Sequence, residues 1–282
     1  MSPRVLVVTV SYLSTETLPG FLDSLREAGD SVAAVVVSEN ASSEADATRT
    51  IAESFGARFV GNTENLGYGG GVAAAVEEIW ATEEFDYLLI VNPDVSFAPG
   101  SIDRLVEAAE RMPSGGAFGP KILTAEGNVY PSARRLPSLR TGVAHGLFGR
   151  IWPSNPWSVA YRAEGQSDRV RDAGWLSGAC LLVRTSAWRE VGGFDLSYFM
   201  YFEDVDLGYR LGKAGWRNVY VPEAVITHTG AHSASRNVKR MERAHHDSAY
   251  LYLSRRYSNW YFAPLRLALR LGLWGRLWWI SR

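Results

Sequence analysis

Acidic residues at two places in the sequence have the types and spacing to hold a metal ion or to accept a proton. The first is Asp94, which follows Asn92 and Pro93 directly after the apolar run 87–91. A carboxylate fixed behind a proline at the end of a strand suits Mg²⁺ or Mn²⁺, which prefer oxygen ligands and substrate phosphates. Asn-Pro-Asp is also common turn chemistry, so this motif alone leaves a metal ligand and a turn residue both open.

The second place holds Glu203, Asp204 and Asp206, directly after the aromatic run 199–202. Acidic residues in the first turn of a helix are favoured by the helix dipole, so capping is the simpler interpretation. Asp206 is enough to start a helix, however, and an adjacent Glu-Asp pair exceeds what a cap requires. A carboxylate in such a partly apolar setting can have its pKa tuned and act as a general base.

Two histidines close a short apolar segment at 224–228. His228 ends the segment, and His232 and Ser233 follow it in a chain with only five histidines. A single histidine is more often structural than a ligand, but this grouping favours a contact with a metal or a phosphate.

A glycine-rich stretch precedes a helical pattern in the first half of the chain. It contains Asn65, Gly67 and the glycines 69–71. Glycines at a helix N-terminus let backbone N–H groups approach a phosphate or a sugar. The spacing differs from the dinucleotide-binding fingerprint, so the stretch alone is a weak indication of nucleotide binding.

Composition excludes several classes of protein. The chain is 46% hydrophobic and 21% charged, which is typical of a globular protein, and its net charge of −1 gives no reason to expect a nucleic-acid partner. The one cysteine, Cys180, excludes an internal disulfide and is expected as a small core residue in a reducing compartment. We expect neither a signal peptide nor a transmembrane span, since no window of about 20 apolar residues is present.

The elements that must position these residues alternate along the first 120 positions. Short β-branched runs and longer helical patterns take turns, which predicts a parallel sheet with helices on both faces. The predicted strands are 5–10, 32–37, 57–60, 87–91 and 117–122, and the predicted helices are 18–28, 45–55, 70–80 and 101–111.

Polar residues follow four of the predicted strands. Ligands of such sheets bind beyond the carboxyl ends of the strands, so we expect these residues to lie together at one edge. They are Ser11 and Tyr12, the segment 38–40, Asn62, and the segment 92–94.

The second half of the chain is less regular. Residues 125–172 are predicted as loop, followed by a buried strand, a helix, two short strands and a charged helix. We expect one continuous domain at 1–235, with a nucleotide half at about 1–120 and an acceptor half at about 121–235, then C-terminal helices at 236–282. The predicted elements lie at 175–184, 204–215, 216–221, 224–228 and 237–256.

Together and in this order, the motifs resemble family 2 glycosyltransferases of the GT-A fold. The resemblance implies an α/β, Rossmann-like fold with a mostly parallel central sheet flanked by helices and a C-terminal helical extension. It also implies inverting transfer from a nucleotide sugar, a single displacement that needs one base and a divalent metal, Mg²⁺ or Mn²⁺. The matching segments are 8–12, 36–43, 62–71, 90–95, 175–184, 192–216 and 225–233.

Roles for individual residues follow from this resemblance. Asp94 matches the last Asp of the family's Asp-X-Asp motif and His228 matches a histidine that completes the metal site, while Asn92 replaces the first Asp. Asp204 matches the catalytic base that takes the proton of the acceptor hydroxyl. The resemblance places the remaining donor contacts at Ser11 and Tyr12 beside the nucleotide, Glu39 in place of the usual Asp at the base, Asn65 and Gly67 near the ribose or diphosphate, Glu203 beside the catalytic base, and Trp175, Ser177 and Gly178 in the wall between donor and acceptor.

Segments 128–139, 152–157 and 260–270 carry a narrower likeness, to those members of the family that transfer rhamnose to lipid-linked sugars. It implies dTDP-L-rhamnose as donor and GlcNAc-diphospho-polyprenol as acceptor, in arabinogalactan linker synthesis at the cytoplasmic face of the plasma membrane. Glu39 leaves the base preference open, so a UDP-sugar or another polysaccharide acceptor is the alternative. A sugar nucleotidyltransferase is disfavoured because no Arg or Lys follows the first strand directly, and the intact acidic residues disfavour a non-catalytic sugar-binding protein.

The C-terminal segment 260–282 contains four of the ten tryptophans together with arginines. A helix of this composition can lie in a membrane surface, or it can pack on the protein or on a second copy, which leaves a homodimer open. We favour peripheral membrane contact because the implied acceptor is a lipid diphosphate. Basic residues predicted for its phosphates are Arg134, Arg135, Arg236, Lys239 and Arg240.

Overall fold

The computed structural model describes residues 3–137, 168–230 and 238–280, without the side chains at 238–240, 273, 274 and 276–280. The strands are β1 (Val5–Ser11), β2 (Val32–Glu39), β3 (Arg58–Gly61), β4 (Tyr87–Val91), β5 (Val95–Phe97), β6 (Gly115–Leu123), β7 (Val129–Tyr130), β8 (Ala133–Arg134), β9 (Arg171–Ala173), β10 (Trp175–Leu176), β11 (Cys180–Arg184) and β12 (Arg217–His228). The α-helices are α1 (Leu18–Ser24), α2 (Ala45–Ser54), α3 (Gly67–Trp80), α4 (Ser101–Arg111), α5 (Thr185–Val191), α6 (Glu203–Lys213), α7 (Val238–Arg256) and α8 (Ala263–Ile280).

A mixed sheet of ten strands forms the centre of the part that the structure describes. Its main order is β3-β2-β1-β4-β11-β6-β12-β5, with β7 beside β6 and β9 beside β12. Neighbours among β1 to β4 run parallel, as do β6 and β12, whereas β11 runs antiparallel between β4 and β6. The predicted α/β fold with a central sheet flanked by helices is confirmed. The sheet is mixed, with its parallel part at β1 to β4 and at β6 and β12, and strands from both halves of the chain share it.

Helices cover both faces of the sheet, and the alternation of side chains along β1 supplies both cores. Val5 and Val7 pack with residues of α1, α2 and α4 on one face. Leu6 and Val8 pack with residues of α3, α5 and α6 on the other. Every residue of β1 and β4 is buried, which explains why these strands are continuous apolar runs in the sequence.

The structure divides two of the predicted strands differently. The run 175–184 is broken into β10 and β11 by the turn at 177–179, and β10 leaves the main sheet to pair with β8. The two short strands predicted at 216–228 form one strand, β12, whose register against β6 shifts between Val221 and Val225. Pro222 lies in this shift, where its missing N–H costs no ladder hydrogen bond.

The C-terminal helices α7 and α8 follow the sheet domain and contact each other. Arg266 of α8 fixes the segment that connects them, since its guanidinium donates to the carbonyls of Tyr257 and Asn259 at 2.7 and 2.9 Å. Among the described residues, no helix has the length and apolar character that crossing a bilayer requires.

Candidate active site

The carboxyl ends of four neighbouring strands meet at one edge of the sheet, as the sequence predicts. Ser11 at the end of β1 lies opposite Glu39 at the end of β2, which lies opposite Gly61 at the end of β3. β4 runs parallel to β1, so the segment 92–94 emerges at this same edge. His228 ends β12 and pairs with Val95, directly after that segment.

Asp94 and His228 are brought together here although 133 positions separate them in the chain. His228 Nε2 lies 3.1 Å from Asp94 Oδ1, and both side chains are largely buried. The other oxygen, Oδ2, accepts the Gly230 N–H at 3.0 Å, which fixes the plane of the carboxylate. The amide Nδ2 of Asn92 lies 3.3 Å from the same imidazole nitrogen.

These side chains form a donor set that fits a hard divalent cation. One carboxylate and one imidazole can coordinate, and the remaining positions suit oxygens of a substrate diphosphate or water. Among the described residues, no group of three or more His, Cys, Asp or Glu converges on a single point. A cation at Asp94 and His228 would therefore have few protein ligands, which agrees with Asn92 standing where a second carboxylate is usual.

The turn 177–179 connects this pair to Asp204. The Asn92 N–H donates to the Ala179 carbonyl at 3.0 Å, and the Gly178 N–H donates to Asp204 Oδ2 at 2.9 Å. Asp204 Oδ1 accepts the Val205 N–H at 2.8 Å. Since β10 and β11 flank the turn, the break in the predicted strand serves to present the Gly178 N–H to the carboxylate.

Burial sets the proton affinity of Asp204. Desolvation raises its pKa above the usual range of an aspartate, and the N–H groups of Gly178 and Val205 oppose this shift. The positive charge of Arg134 opposes it as well. The arrangement produces a carboxylate that is a stronger base than a solvated aspartate and is held in a defined orientation.

Glu203 is more deeply buried than its neighbour. Its side chain is 5% exposed, and Oε2 has no hydrogen-bond partner among the described residues. Burial, together with the negative charge of Asp204, raises the pKa of Glu203 to about 8. Glu203 therefore holds its proton more tightly than a solvated glutamate, and a second negative charge beside Asp204 is disfavoured.

The raised pKa of Glu203 predicts a pH-dependent stability. Between about pH 4.5 and 8 the carboxyl ionises in the unfolded chain while it stays protonated in the fold, so the free energy of unfolding falls as pH rises. We expect Glu203→Gln to remove this loss and to be more stable than the parent at pH 8, with little difference at pH 4. Urea unfolding across this range measures it; parallel curves for both proteins would contradict the assignment.

Gly67 begins α3 and makes the closest backbone approach in the site. Its φ is +75°, and a Cβ placed there would lie 2.1 Å from the Phe199 carbonyl oxygen. The Gly67 N–H donates to Asn65 Oδ1 at 3.0 Å, and its carbonyl accepts from Asn40 Nδ2 at 2.8 Å. Asn65 and Gly67 thus form one ordered turn at the positions where the sequence predicts donor contacts.

Gly67→Ala is expected to destabilise the fold by about 2 kcal/mol or more, because strain at positive φ adds to the clash with Phe199. Gly56→Ala is the matched control, since Gly56 has the same φ of +75° and nothing within 4 Å of the added Cβ. The control should cost about 1 kcal/mol, the conformational part alone. Equal losses of unfolding free energy would contradict a steric role for this approach.

The predicted nucleotide contacts include buried polar atoms without partners. The hydroxyl of Ser11 and Oε2 of Glu39 have no hydrogen bond among the described residues, although both side chains are almost fully buried. Glu39 Oε1 accepts the Ser42 N–H at 2.9 Å. Tyr12, 39% exposed, lies directly after Ser11. Unsatisfied buried groups at a ligand-binding edge are what a site for a polar ligand would leave.

The predicted wall between donor and acceptor consists of Trp175 in β10 and of Ser177 and Gly178 in the turn 177–179. Ser177 is anchored through its N–H to the Ser132 carbonyl at 2.8 Å, and Trp175 Nε1 donates to the Arg135 carbonyl at 3.1 Å. The Arg134 guanidinium lies 5.5 Å from the Trp175 ring centroid. Arg134, one of the basic residues predicted for the acceptor phosphates, also lies close enough to Asp204 to lower the pKa of that carboxyl.

Several predicted residues have no described position. His232, Ser233 and Arg236 lie outside the described residues, and so do the side chains of Lys239 and Arg240. Cys180 is buried in the core and burial raises the pKa of its thiol, which confirms a structural role.

Tyr68 is a site residue that sequence reasoning missed. Its hydroxyl donates to the Gly178 carbonyl at 2.7 Å and its N–H to the Phe199 carbonyl at 2.9 Å. Burial raises its pKa well above the usual value, and the negative charges of Glu203, Asp204 and Asp94 act in the same direction. A tyrosine between glycines was the only signal in the sequence.

The turn that leads into α6 has an unusual backbone. Tyr201 and Phe202 both have φ of +67°. This region costs large L-residues about 1–2 kcal/mol each, because Cβ approaches the following carbonyl oxygen. Non-glycine residues held in this way cluster at functional sites. Here the strained pair directly precedes Glu203 and Asp204.

Comparison with solved structures identifies the fold as GT-A. A mannosyltransferase from Pyrobaculum calidifontis, in complex with GDP-Man and Mn²⁺, superposes with a TM-score of 0.59 at 15% identity, covering 97% of this chain and 70% of that one. GalNAc-T7 with UDP, GalNAc and Mn²⁺ gives 0.59 at 14% identity, covering 96% of this chain and 54% of that one. At this identity the likeness establishes the fold alone.

Residues 3–245 match the family model described as glycosyltransferase like family 2. The chain belongs to this family and is a glycosyltransferase.

Two relatives of the chain have more narrowly defined activities than the family as a whole. The N-acetylglucosaminyl-diphospho-decaprenol L-rhamnosyltransferase of Mycobacterium tuberculosis is 46% identical over 274 residues, which cover 94% of this chain and 88% of the relative. The rhamnosyltransferase WbbL of Escherichia coli is 31% identical over 200 residues, which cover 70% of this chain and 72% of that protein.

Proposed function

We propose that this glycosyltransferase moves L-rhamnose from dTDP-L-rhamnose to a hydroxyl of GlcNAc-diphospho-polyprenol. The 46% identity to the mycobacterial rhamnosyltransferase, over most of both chains, supports the sugar and the acceptor. The structural observation that carries the proposal is the carboxylate of Asp204, held by the Gly178 N–H at 2.9 Å on the turn that also contacts Asn92. A base and a diphosphate site on two sides of one turn suit a single displacement.

Asp204 acts as the general base in this mechanism. The acceptor hydroxyl oxygen forms a bond to the anomeric carbon while the bond from that carbon to the diphosphate oxygen breaks, and dTDP leaves. The hydroxyl proton goes to the Asp204 carboxylate, whose raised pKa makes it a better proton acceptor. One displacement inverts the anomeric configuration, and no covalent enzyme intermediate is required.

Asp94 and His228 would hold a divalent cation, Mg²⁺ or Mn²⁺, and the charge of that cation would stabilise the diphosphate as a leaving group. Ser11, Tyr12 and Glu39 bind the nucleotide in this proposal. Oε2 of Glu39 has no partner among the described residues and is available to accept a hydrogen bond from the nucleobase of the donor. Asn65 and Gly67 orient the ribose or diphosphate. Trp175, Ser177 and Arg134 face the acceptor, with Arg134 near enough to Asp204 to affect its pKa.

A transfer assay tests the proposal directly. The purified protein is given dTDP-L-rhamnose and a GlcNAc-diphosphoryl polyprenol, with Mn²⁺, with Mg²⁺, or with EDTA, and product is followed by mass spectrometry. We expect rhamnosylated lipid of inverted configuration only when a divalent cation is present. Turnover of UDP-sugars in place of dTDP-L-rhamnose would contradict the donor, and full activity in EDTA would contradict the cation.

Because the proposed acceptor is a lipid that lies in a membrane, the proposal includes a function for α8 in membrane contact. Four large apolar side chains of this region are strongly exposed: Trp260 84%, Tyr261 56%, Leu267 59% and Leu271 58%. Leu267 and Leu271 are one helical turn apart, so they share a face. We assign that face to peripheral contact with the membrane that carries the acceptor, at its cytoplasmic side.

Leu267→Ser combined with Leu271→Ser should lower binding to anionic phospholipid vesicles by about tenfold, since two exposed leucines no longer enter the interface. Vesicle co-sedimentation measures the effect. Val170→Ser is the matched control, because Val170 is 43% exposed and lies outside α8, and it should bind vesicles like the parent. Unchanged binding by the double variant would argue for packing against the protein or a second copy.

A further inference from the structure

The strained turn at 200–202 is held from outside its own segment. Phe202 is the residue before α6, and its carbonyl accepts the Asp206 N–H at 2.8 Å while its φ is +67°. Large residues keep such a conformation only where surrounding contacts over-determine it. The contacts that hold this turn therefore also set the start of α6, where Asp204 lies.

Helix α7 provides these contacts. Ser248 is buried, and its hydroxyl donates to the Met200 carbonyl at 2.8 Å. The ring of His245 lies edge-on to the rings of Tyr201 and Phe202, with centroids 5.5 Å from each. His245 and Ser248 are three positions apart, so they point from one face of the helix to the same turn.

The same face of α7 also contacts residues 195–198, which precede the turn 200–202 in the chain. Tyr252 is 2% exposed, and its ring centroid lies 5.6 Å from that of Phe202. Arg255 forms an ion pair with Asp195 and lies over the ring of Tyr198 at 5.7 Å. Positions 245, 248, 252 and 255 follow helical spacing, so α7 lies against the whole loop 195–202 along one stripe.

We propose that α7 is a positioning element of the active site, in which His245 and Ser248 hold the turn 200–202 and thereby orient the carboxylate of Asp204. This inference rests on the proposed role of Asp204 as base. Neither residue touches the reacting atoms; both act through the turn. When the turn relaxes to an ordinary backbone conformation, the first residues of α6 rotate and Asp204 loses its alignment with the Gly178 N–H.

The test compares His245→Ala, Ser248→Ala and their combination with two conservative variants, His245→Phe and Ser248→Thr, which keep the ring or the hydroxyl. Asp247→Asn is the matched control, because Asp247 lies beside Ser248 but is 72% exposed and pairs only loosely with Arg243 at 3.7 Å. We expect kcat to fall about fivefold in Ser248→Ala and more than tenfold in the combination, with KM for the donor within about twofold. The conservative variants should keep most of kcat, and the control all of it.

Amide hydrogen exchange of peptides covering 199–206 is the second readout, and it requires neither donor nor acceptor. Exchange should be faster in the combined alanine variant and unchanged in Asp247→Asn. Unchanged kcat, a loss confined to KM, or a fall in kcat without faster exchange would each overturn the inference. A parent protein that transfers no rhamnose would refute the proposed function instead, and faster exchange would still report that α7 holds the turn.

Discussion

Asp204→Asn should abolish sugar transfer, lowering kcat by about 10³-fold or more, while donor binding stays within about twofold of the parent. The reason is that the acceptor hydroxyl must give up its proton as it attacks, and the side chain at position 204 is proposed to take that proton. The amide has nearly the shape of the carboxylate and can still accept the Gly178 N–H, which the carboxylate does at 2.9 Å, but it cannot take the proton of the attacking hydroxyl. General base catalysis contributes about 10²- to 10⁴-fold to rate, and in the proposed mechanism Asp204 is the residue assigned to take this proton. Initial rates and calorimetric titration with dTDP-L-rhamnose measure the two quantities.

Asp206→Asn is the control for this substitution. Asp206 lies in the same helical turn, and its carboxylate accepts from Arg210 Nε at 2.6 Å. Replacing this carboxylate by an amide should weaken the ion pair with Arg210 and lower the melting temperature, while kcat is retained. If Asp204→Asn kept more than about a tenth of the parent kcat, another residue would have to be the base; if it failed to bind donor, Asp204 would be a binding residue.

Asp94→Ala should weaken donor binding in the presence of Mn²⁺ by about 100-fold and remove the difference between binding with Mn²⁺ and with EDTA. The reason is the small number of protein ligands. Asp94 Oδ1 and His228 Nε2 lie 3.1 Å apart, and with Asp94 removed the pair has one ligand left. A single imidazole holds a hard divalent cation far more weakly than an imidazole together with a carboxylate. Calorimetric titration of dTDP-L-rhamnose under both conditions gives the two dissociation constants.

Asn92→Asp is the complementary variant. Asn92 Nδ2 lies 3.3 Å from His228 Nε2, so a carboxylate at this position would add a second acidic ligand beside the first. We expect tighter Mn²⁺ binding and donor binding at least equal to the parent. A metal-dependent affinity that survives Asp94→Ala unchanged would place the cation elsewhere.

Elements with a strong local pattern could be predicted from the sequence. β1 and β4 are apolar runs because both faces of these strands are buried, and α3 and α4 carry an apolar face toward the sheet. The edge of the sheet where polar residues gather followed from the parallel order of the strands alone. The assignment of Asp94, Asp204 and His228 to particular roles came from the resemblance to family 2 glycosyltransferases, and their roles stay predictions.

Two features of the site, the break at 177–179 and the strained turn before α6, could not be predicted from the neighbouring residues in the sequence. The run 175–184 is apolar except at Ser177, Gly178 and the terminal Arg184, so a single strand was the natural prediction. The break exists because Ser177 binds the Ser132 carbonyl and Gly178 binds Asp204, contacts between residues 45 and 26 positions apart. The strain at Tyr201 and Phe202 was likewise invisible, since nothing in these residue types favours a positive φ and the stabilising contacts come from α7.

The sequence by itself determined the class of fold, the edge of the sheet that holds the site and the acids that could do chemistry there, because burial and alternation leave patterns over a few neighbouring residues. Only the tertiary structure decided which of these groups come into contact. It brings His228 to Asp94, aims the Gly178 N–H at Asp204, and buries Glu203 beside it, which raises the pKa of Glu203. These properties depend on distance and on loss of water, which segments far apart in the chain create only when they pack together.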